Sequence, residues 1–294
     1  MDYTTGNIRV NGRDVFLYVD RQWYHYDSSV APLGAGAMGT VYLGRNCKDH
    51  HDLVAIKQVN PAYARYPAIR ERARLEARLA FRHRNLVEMI GCCEEGGLEG
   101  PMFIVSRLVQ GVTLDKYVER TFANRPDRVK RIINCIFPVL EALDYIHSKG
   151  IIHLDIKPSN IMVENGSNIR LMDLGIAYTH TQAITASGLL GTPGYAAPEQ
   201  YISPGQTQLP FDARTDIYQL GVTLYELISG VKPYQKNPDK LDPLPGVSRA
   251  INQAIGRALA LDQSERYETA RQFSTALKQA LIQKPSLWER IFKK

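Results

Sequence analysis

The sequence predicts an α+β protein, with a β-rich N-terminal part and a longer, mostly helical C-terminal part. Three observations lead to this prediction. Short apolar runs of strand length, such as residues 54–57 and 102–105, occur early in the chain. Apolar residues then recur with helical spacing over residues 127–148, and a second apolar helix is predicted over residues 216–230. Runs of strands followed by runs of helices are typical of the α+β class.

The chain length and the charge balance narrow the class of protein. With 294 residues and 44% hydrophobic content, the chain can bury a sizeable core and suits one large two-lobed domain or two smaller ones. The formal net charge of +6, from 36 basic and 30 acidic residues, is a mild excess without a long basic run. We therefore favour a solvated surface over nucleic-acid binding.

The four cysteines indicate a reducing compartment. Cys92 and Cys93 are adjacent and cannot readily pair, and no Cys-x-x-Cys spacing links them to Cys47 or Cys135. We therefore expect free thiols, with neither disulfides nor zinc. The sequence shows no signal peptide and no apolar run long enough to span a bilayer. We expect a cytoplasmic location, for the chain alone or as the cytosolic part of a longer protein.

Residues 1–28 form an N-terminal extension in which a β-hairpin is predicted. Two apolar runs, 8–10 and 15–19, flank Asn11-Gly12, which supplies the positive φ angles of a type I′ turn. Aromatic residues follow at positions 23, 24 and 26. A partner-docking surface is one interpretation of them. We favour an extra strand pair packed on the next part of the chain, because aromatic residues near a terminus are more often packed than presented.

A glycine-rich stretch follows, and it is predicted to be a hairpin tip. A dinucleotide-binding fold would need a helix after the glycines, but Val41 resumes a strand directly, and no Gly-Lys-Ser/Thr completes a Walker loop. The backbone amides of such a tip can lie over phosphate groups. The candidate nucleotide-binding residues here are Leu33, Gly34, Gly36, Gly39 and Val41.

The strand over residues 54–57 contains one lysine, Lys57, in an otherwise apolar run. Such a lysine is usually solvated at a sheet edge. Because it follows a glycine-rich hairpin, we favour a role in holding phosphates. A helix is predicted over residues 67–82, where Arg, Glu, Ala and Leu are frequent and Pro67 suits the first turn.

Residues 153–160 place an acid, a lysine and a side-chain amide in one short loop. Asp155 can accept a proton from a hydroxyl, Lys157 can offer positive charge to a phosphoryl group, and Asn160 can bind a metal through its carbonyl oxygen. Thirteen residues after Asn160 comes a second carboxylate, Asp173, followed by a glycine hinge at Gly175. One such loop could arise by chance, but the second motif at this distance makes the combination specific.

These motifs resemble those of the eukaryotic-type (Hanks-type) serine/threonine protein kinases, and the resemblance spans residues 29–283. Bacterial kinases of this type are the most similar, given Gly-Val-Thr-Leu at 111–114 and Ala-Pro-Glu-Gln at 197–200. The resemblance implies a two-lobed kinase fold, with a small antiparallel β lobe that contains one main helix and a larger, mostly helical lobe. The implied divisions are a small lobe at 29–106, a hinge at 107–110, a large lobe at 111–283 and a basic amphipathic tail at 284–294.

The resemblance also implies the cofactors ATP and Mg²⁺, a protein substrate with a Ser/Thr acceptor, and the following catalytic roles. Lys57, oriented by Glu76, would hold the ATP phosphates; Glu71 is the alternative partner. Asn160 and Asp173 would hold Mg²⁺, Asp155 would take the acceptor proton, Lys157 would offset γ-phosphoryl charge, and Thr192 would support Asp155 and Lys157 by hydrogen bonding. Choosing Glu76 implies a shortened end of its helix.

The same resemblance implies how adenine would bind. Ser106 would be the small gatekeeper behind the ring, and the backbone of Arg107 and Val109 would hydrogen-bond its edge. Met162 would form the floor under the ring, and Val41 and Ala55 its roof.

Three further expectations concern the second half of the chain. The resemblance implies that Arg266 pairs with Glu199. Asp216 could cap its helix, and the resemblance adds a role in bracing the backbone of the catalytic loop. The tail from residue 284 would dock on the large lobe, or continue toward a membrane or another domain if the chain is a fragment.

Two departures from the family pattern bear on activity. Leu154 replaces the arginine that normally meets a phosphate on the activation segment, so activity should depend only weakly on phosphorylation there. Leu174 replaces a phenylalanine, and we expect no loss from this apolar exchange. The alternative function is a catalytically weak pseudokinase that serves as a nucleotide-binding signalling scaffold. We favour an active kinase, because none of the lysine, base and metal residues is missing.

Overall fold

The computed structural model describes residues 3–36, 39–67, 69–71, 73–74, 81–172, 178–179, 188–189, 191–202, 211–234 and 241–283. The chain divides into two compact units, Met1–Gln110 and Gly111–Lys294. The first is built on an antiparallel sheet and the second mainly on helices. The predicted α+β fold class is thus confirmed.

The described residues of the first unit form a sheet of nine strands. Its strands are β1 (Tyr3–Thr5), β2 (Ile8–Asn11), β3 (Asp14–Val19), β4 (Gln22–Asp27), β5 (Gly34–Gly36), β6 (Gly39–Asn46), β7 (Leu53–Val59), β8 (Met89–Glu94) and β9 (Met102–Arg107). Their spatial order is β1-β2-β3-β4-β6-β7-β9-β8, and β5 pairs with β6. The described strand pairs are all antiparallel.

The N-terminal strands are part of this sheet. The predicted hairpin is present as β2 and β3, with Gly12 in the turn at φ 57°. Strand β4 follows, and its Tyr24 lies opposite Asn46 of β6, which joins the extension to the rest of the sheet. Alternate residues of β3 are buried, Leu17 fully, because one face of the strand pair is turned to the core. They pack in one apolar cluster with Val54 and Ile56 of β7.

Two helical segments lie between β7 and β8. Helix α1 (Pro61–Ala64) begins after Asn60, whose side-chain oxygen accepts a hydrogen bond from the N–H of Ala62 at 3.0 Å. Residues 67, 69–71 and 73–74 are also helical, as predicted, whereas residues 81–83 are not. The helix predicted to reach residue 82 therefore ends earlier.

The second unit is dominated by five helices among its described residues. They are α2 (Leu114–Phe122), α3 (Arg128–His147), α4 (Ala213–Ser229), α5 (Arg249–Ala258) and α6 (Ala270–Ile282). Its short strands are β10 (Gly111–Thr113), β11 (Ile151–Ile152), β12 (Ile161–Glu164), β13 (Asn168–Leu171), β14 (Tyr178–Thr179), β15 (Gly188–Leu189) and β16 (Tyr201–Ile202). Strands β10, β12 and β13 form a small antiparallel sheet.

The boundaries of α4 correct one prediction. Asp216 is not the cap of this helix, because Asp212, four residues earlier, accepts a hydrogen bond from the N–H of Arg214 at 2.7 Å and begins the helix. Gly230 ends the helix in a left-handed conformation, φ 78°, as predicted for a glycine at this position. The predicted tail at 284–294 lies outside the described residues. No helix in the described ranges is long and apolar enough to cross a membrane.

Candidate active site

Four of the predicted nucleotide-binding residues share one face of the sheet in the first unit. Val41 of β6 lies directly opposite Lys57 of β7, and Ala55 of β7 lies directly opposite Ser106 of β9. Residues directly opposite each other in an antiparallel pair have side chains on the same face, as have residues two apart in one strand. Their shared face is therefore opposite to the one that Ile56 and the N-terminal strands bury.

The glycine-rich stretch forms the predicted hairpin. Gly36 lies opposite Gly39, Gly34 lies opposite Val41, and the N–H of Leu33 donates to the carbonyl of Val41 at 2.8 Å. A Cβ atom at Gly39 would lie 2.1 Å from the carbonyl oxygen of Gln58, at a φ of 148°. This position therefore requires glycine. The two tip residues, 37 and 38, lie outside the described residues.

Arg70 is a buried arginine that anchors the helical segment containing residues 69–71. Arg70 is 1% exposed, and its guanidinium donates to Glu94 Oε2 at 2.8 Å, to the carbonyl of Ala64 at 2.6 Å and to that of Leu98 at 3.1 Å. It also donates to the carbonyl of Gly100. These bonds attach the helix to the end of β8.

The sequence offers two candidates for the glutamate that would orient Lys57. Glu71 is on the described part of this helix, and its side chain is exposed. Glu76, the preferred candidate, lies outside the described residues.

The predicted adenine-binding segment follows β9. The N–H of Arg107 donates to the carbonyl of Glu88 at 2.9 Å, so only the carbonyl oxygen of Arg107 could meet an adenine amine. Its side chain pairs with Glu88 Oε2 at 2.8 Å. Val109 is half-buried. In the second unit, the predicted adenine floor, Met162, lies on β12 opposite Thr113 and Arg170.

The carboxylate of Asp155 is the centre of a compact hydrogen-bonded group in the second unit. Lys157 Nζ donates to its Oδ2 at 2.8 Å, and Thr192 Oγ1 donates to its Oδ1 at 2.6 Å. Lys157 Nζ also donates to Thr192 Oγ1 at 2.6 Å. Asp155, Lys157 and Thr192 therefore form a closed triangle of candidate catalytic residues, and we refer to these three residues as the catalytic triangle. Asp155 is 3% exposed, so its orientation is fixed by these contacts.

Asn160 contacts the same carboxylate. Its Nδ2 donates to Asp155 Oδ2 at 2.9 Å and to the carbonyl of Asp155 at 2.8 Å. Among the described residues no group donates to its Oδ1, so the amide presents an oxygen, the atom type that Mg²⁺ prefers. Asp173 lies outside the described residues, and no group of three His, Cys, Asp or Glu side chains within them is arranged to hold a metal ion. Asn160 can therefore supply one oxygen ligand to a Mg²⁺ ion whose remaining ligands come from other groups.

Asp216 braces the backbone just before Asp155, as predicted. Its Oδ2 accepts from the N–H of His153 at 2.8 Å, and its Oδ1 accepts from the N–H of Leu154 at 2.8 Å. The ring of His147 contacts Oδ2 at 2.8 Å. Asp216 is fully buried, and these three partners satisfy its carboxylate.

The predicted pair of Glu199 and Arg266 is confirmed. The guanidinium of Arg266 binds both carboxylate oxygens of Glu199, at 2.7 and 3.0 Å. Arg266 is 1% exposed and also donates to the carbonyl of Ala260 at 2.7 Å. This pair holds the Ala-Pro-Glu turn against the helical core.

Two residues that the sequence analysis did not predict, Gln200 and Gln219, contact the same loop. Gln219 Oε1 accepts from the N–H of Ile156, and both side chains donate to the carbonyl of Leu154. The available signal was a polar residue at position 219, inside an otherwise apolar stretch of a helix. A polar side chain buried there must find hydrogen-bond partners.

The family of the protein kinase domain matches residues 28–286. Serine/threonine-protein kinase PknB of Mycobacterium tuberculosis (strain ATCC 25177 / H37Ra) is 34% identical over 265 residues, which cover 83% of this chain and 41% of PknB. Serine/threonine-protein kinase PknH of Mycobacterium bovis is 31% identical and is covered to 43%. The chain thus spans about two fifths of the length of these relatives.

A solved structure supports the same relationship. The crystal structure of the Mycobacterium tuberculosis PknI kinase domain aligns with a TM-score of 0.67 and 25% sequence identity. The alignment covers 94% of this chain and 100% of the PknI domain.

Proposed function

The chain belongs to the protein kinase domain family, and we propose that it is an active serine/threonine protein kinase. In this reaction a protein hydroxyl attacks the γ-phosphorus of ATP, a new P–O bond forms, and the bond between the γ-phosphorus and the β–γ bridging oxygen breaks. ADP leaves, and the hydroxyl proton passes to the enzyme. The catalytic triangle is the observation that supports this proposal most directly.

The triangle suits phosphoryl transfer for a physical reason. The reaction needs little covalent chemistry from the protein and depends on positioning and charge neutralisation. Asp155 offers a fixed carboxylate that can orient the acceptor hydroxyl and take its proton. Lys157 lies 2.8 Å from that carboxylate, so its ammonium group can offset charge on the γ-phosphoryl group. Thr192 holds both side chains in place.

The remaining roles follow from the family pattern, position by position. We propose that Lys57 holds the ATP phosphates with Glu76 as its partner, and that the backbone of the glycine-rich hairpin covers them. The adenine contacts are those proposed for Ser106, Arg107, Val109, Val41, Ala55 and Met162. Asn160 and Asp173 would hold Mg²⁺, which neutralises charge on the phosphate oxygens when bound. A serine or threonine acceptor is favoured because the relatives are named serine/threonine kinases.

Transfer of label from γ-labelled ATP in the presence of Mg²⁺ tests the proposal. Wild-type protein is compared with Asp155→Asn, and Asp144→Asn is the matched control because Asp144 pairs with Arg271, whose side chain is 80% exposed. We expect label on Ser or Thr with the wild type and the control, and a loss of at least about 100-fold with Asp155→Asn.

Two outcomes would contradict the proposal. Equal labelling by wild type and Asp155→Asn would show that Asp155 does not take part in the reaction. ATP binding without labelling, in wild type and variants alike, would favour the scaffold function of a pseudokinase. A thermal shift on adding ATP and Mg²⁺ measures the binding independently of transfer.

A further inference from the structure

Two buried glutamines lie behind the loop that contains Asp155. Gln219 Oε1 accepts from the N–H of Ile156 at 2.8 Å, and its Nε2 donates to the carbonyl of Leu154 at 2.8 Å. That carbonyl belongs to the peptide group before Asp155, and that N–H belongs to the peptide group after it. One side chain therefore binds both peptide groups of Asp155 and restrains its φ and ψ angles.

The second glutamine completes the arrangement. Gln200 Nε2 donates to the carbonyl of Leu154 at 3.0 Å, and its Oε1 accepts from Gln219 Nε2 at 2.7 Å and from the N–H of Ala197 at 2.8 Å. The polarity of these backbone partners fixes which end of each amide is oxygen. Both glutamines are fully buried, and both N–H groups of the Gln219 amide are used. We call these two side chains the glutamine pair.

The backbone that the pair holds is strained. Leu154 has a φ of 66°, in the left-handed region that leucine rarely adopts. Such a conformation persists only where the surroundings impose it. Asp216 binds the N–H of Leu154, and the glutamine pair binds its carbonyl. These contacts therefore help to set the direction in which the side chain of the next residue, Asp155, projects from the backbone.

The glutamine pair also meets the segment that contains Thr192. A Cβ atom at Gly191 would lie 2.8 Å from the carbonyl oxygen of Leu154 and 2.9 Å from Gln200 Nε2. The segment can approach this closely because position 191 has no side chain. Thr192, the next residue, donates to Asp155 Oδ1. The glutamine pair therefore contacts both segments that form the catalytic triangle: the loop that contains Asp155 and the segment that contains Thr192.

We propose that Gln219, assisted by Gln200, is a positioning residue that sets the orientation of Asp155. The inference rests on the proposed kinase function and deepens it. An apolar side chain could fill the same buried space, whereas a buried amide is costly unless every hydrogen bond is made. Here those bonds go to the peptide groups of the catalytic loop. A displacement of about 1 Å at a reacting group can cost about 100-fold in rate.

The first test compares the steady-state kinetics of Gln219→Met with wild type. Methionine keeps the length and volume but removes the amide. We expect kcat to fall at least about tenfold, with KM for ATP within about threefold, because the loop geometry and not nucleotide binding is changed. Gln200→Met should lower kcat less, and the double variant should be non-additive because the two amides contact each other.

Two controls separate positioning from stability. Thr223→Val removes a buried hydroxyl without a described partner, one turn further along α4, and should leave kcat unchanged. Leu224→Ala creates a cavity in the same helix and lowers Tm with the glutamine pair intact. If Gln219→Met keeps kcat within about twofold of wild type, or loses no more kcat than Leu224→Ala at equal loss of Tm, the inference is wrong.

Hydrogen exchange provides a measurement that needs no activity. In Gln219→Met the amide of Ile156 loses its acceptor, so deuterium uptake in a peptide covering residues 151–160 should rise, while Thr223→Val leaves it unchanged. Unchanged uptake in Gln219→Met would refute the inference even if the chain transfers no phosphate. An active wild type with an unaffected Gln219→Met variant would refute the inference alone and leave the proposed function standing.

Discussion

The hydroxyl of Thr192 donates to the carboxylate of Asp155 at 2.6 Å, although 37 residues separate them in sequence. The same hydroxyl accepts from Lys157 at 2.6 Å. A threonine hydroxyl has one proton and two lone pairs, so it can serve both charged neighbours at once. The contact between the Gly-Thr-Pro segment and the catalytic loop is therefore specific to a hydroxyl.

Replacing Thr192 by valine should lower kcat by about tenfold or more, because the shape is kept while both hydrogen bonds are lost. Thr192→Ser retains the hydroxyl and should stay within about threefold of wild type. Steady-state phosphorylation of a generic protein substrate measures both. Equal losses in the two variants would show that the methyl group, and not the hydroxyl, matters at this position.

Treatment with a phosphatase should change activity by less than about threefold. Leu154, which occupies the position of the family arginine, is fully buried and cannot pair with a phosphate on the activation segment. Mass spectrometry before and after treatment confirms that phosphate was removed. Loss of most activity on complete dephosphorylation would mean that another cation has taken over the role of that arginine.

Two arginines that share Glu94 should differ sharply in their contribution to stability. Arg70 has a side chain 1% exposed, whereas that of Arg74 is 48% exposed. Arg70→Met leaves Glu94 and several backbone carbonyls without a buried donor and should cost about 3–5 kcal/mol of unfolding free energy. Arg74→Met removes a solvent-screened pair and should cost about 1 kcal/mol or less.

Urea unfolding followed by tryptophan fluorescence measures this difference. The chain has two tryptophans, so a Trp288→Phe background leaves Trp23, in the first unit, as the reporter. Equal costs for the two arginine variants would contradict the assignment of Arg70 as the anchor of the helix.

The contribution of Glu94 should depend on pH. Burial raises the pKa of Glu94, but hydrogen bonds from Arg74 and Arg70 outweigh it, so the pKa lies below the usual 4.5. A folded-state pKa below that of the unfolded chain stabilises the folded state above pH 4.5, and this stabilisation is lost as the pH falls through the folded pKa. The difference in unfolding free energy between wild type and Glu94→Gln should therefore be largest near neutral pH and shrink in acid. A difference that stays constant down to about pH 3 would contradict the charge-based origin, and Glu119→Gln, on an exposed position of α2, is the control.

The residues that we propose to perform the chemistry were the most predictable from sequence. Asp155, Lys157 and Asn160 have fixed spacing in one loop, because the reaction constrains both residue type and distance. The pairing of Arg266 with Glu199 was predictable from the family resemblance, and the burial of Arg266 explains why it needs a defined partner.

Supporting contacts were harder to predict. Gln219 lies among apolar residues of a helix, and sequence alone does not show which backbone groups a buried amide will reach. Of the two roles expected of Asp216, only the bracing of the loop is observed, because the helix begins earlier than predicted and Asp212 caps it. The burial of Arg70 was not predicted, because its partners are Glu94 and three backbone carbonyls, which lie 6, 28 and 30 residues away in sequence.

The extension at the N-terminus has a consequence for where this domain begins. Similarity to the kinase family starts at residue 28, yet strands β1 to β4 precede it, and residues of β2, β3 and β4 share a core with Ile56 and Val105. A truncation at residue 28 would keep all the proposed catalytic residues. It would also expose the apolar side chains on the face of the sheet that the N-terminal strands cover. The region of family similarity and the compact structural unit therefore have different borders here, and the compact unit starts earlier.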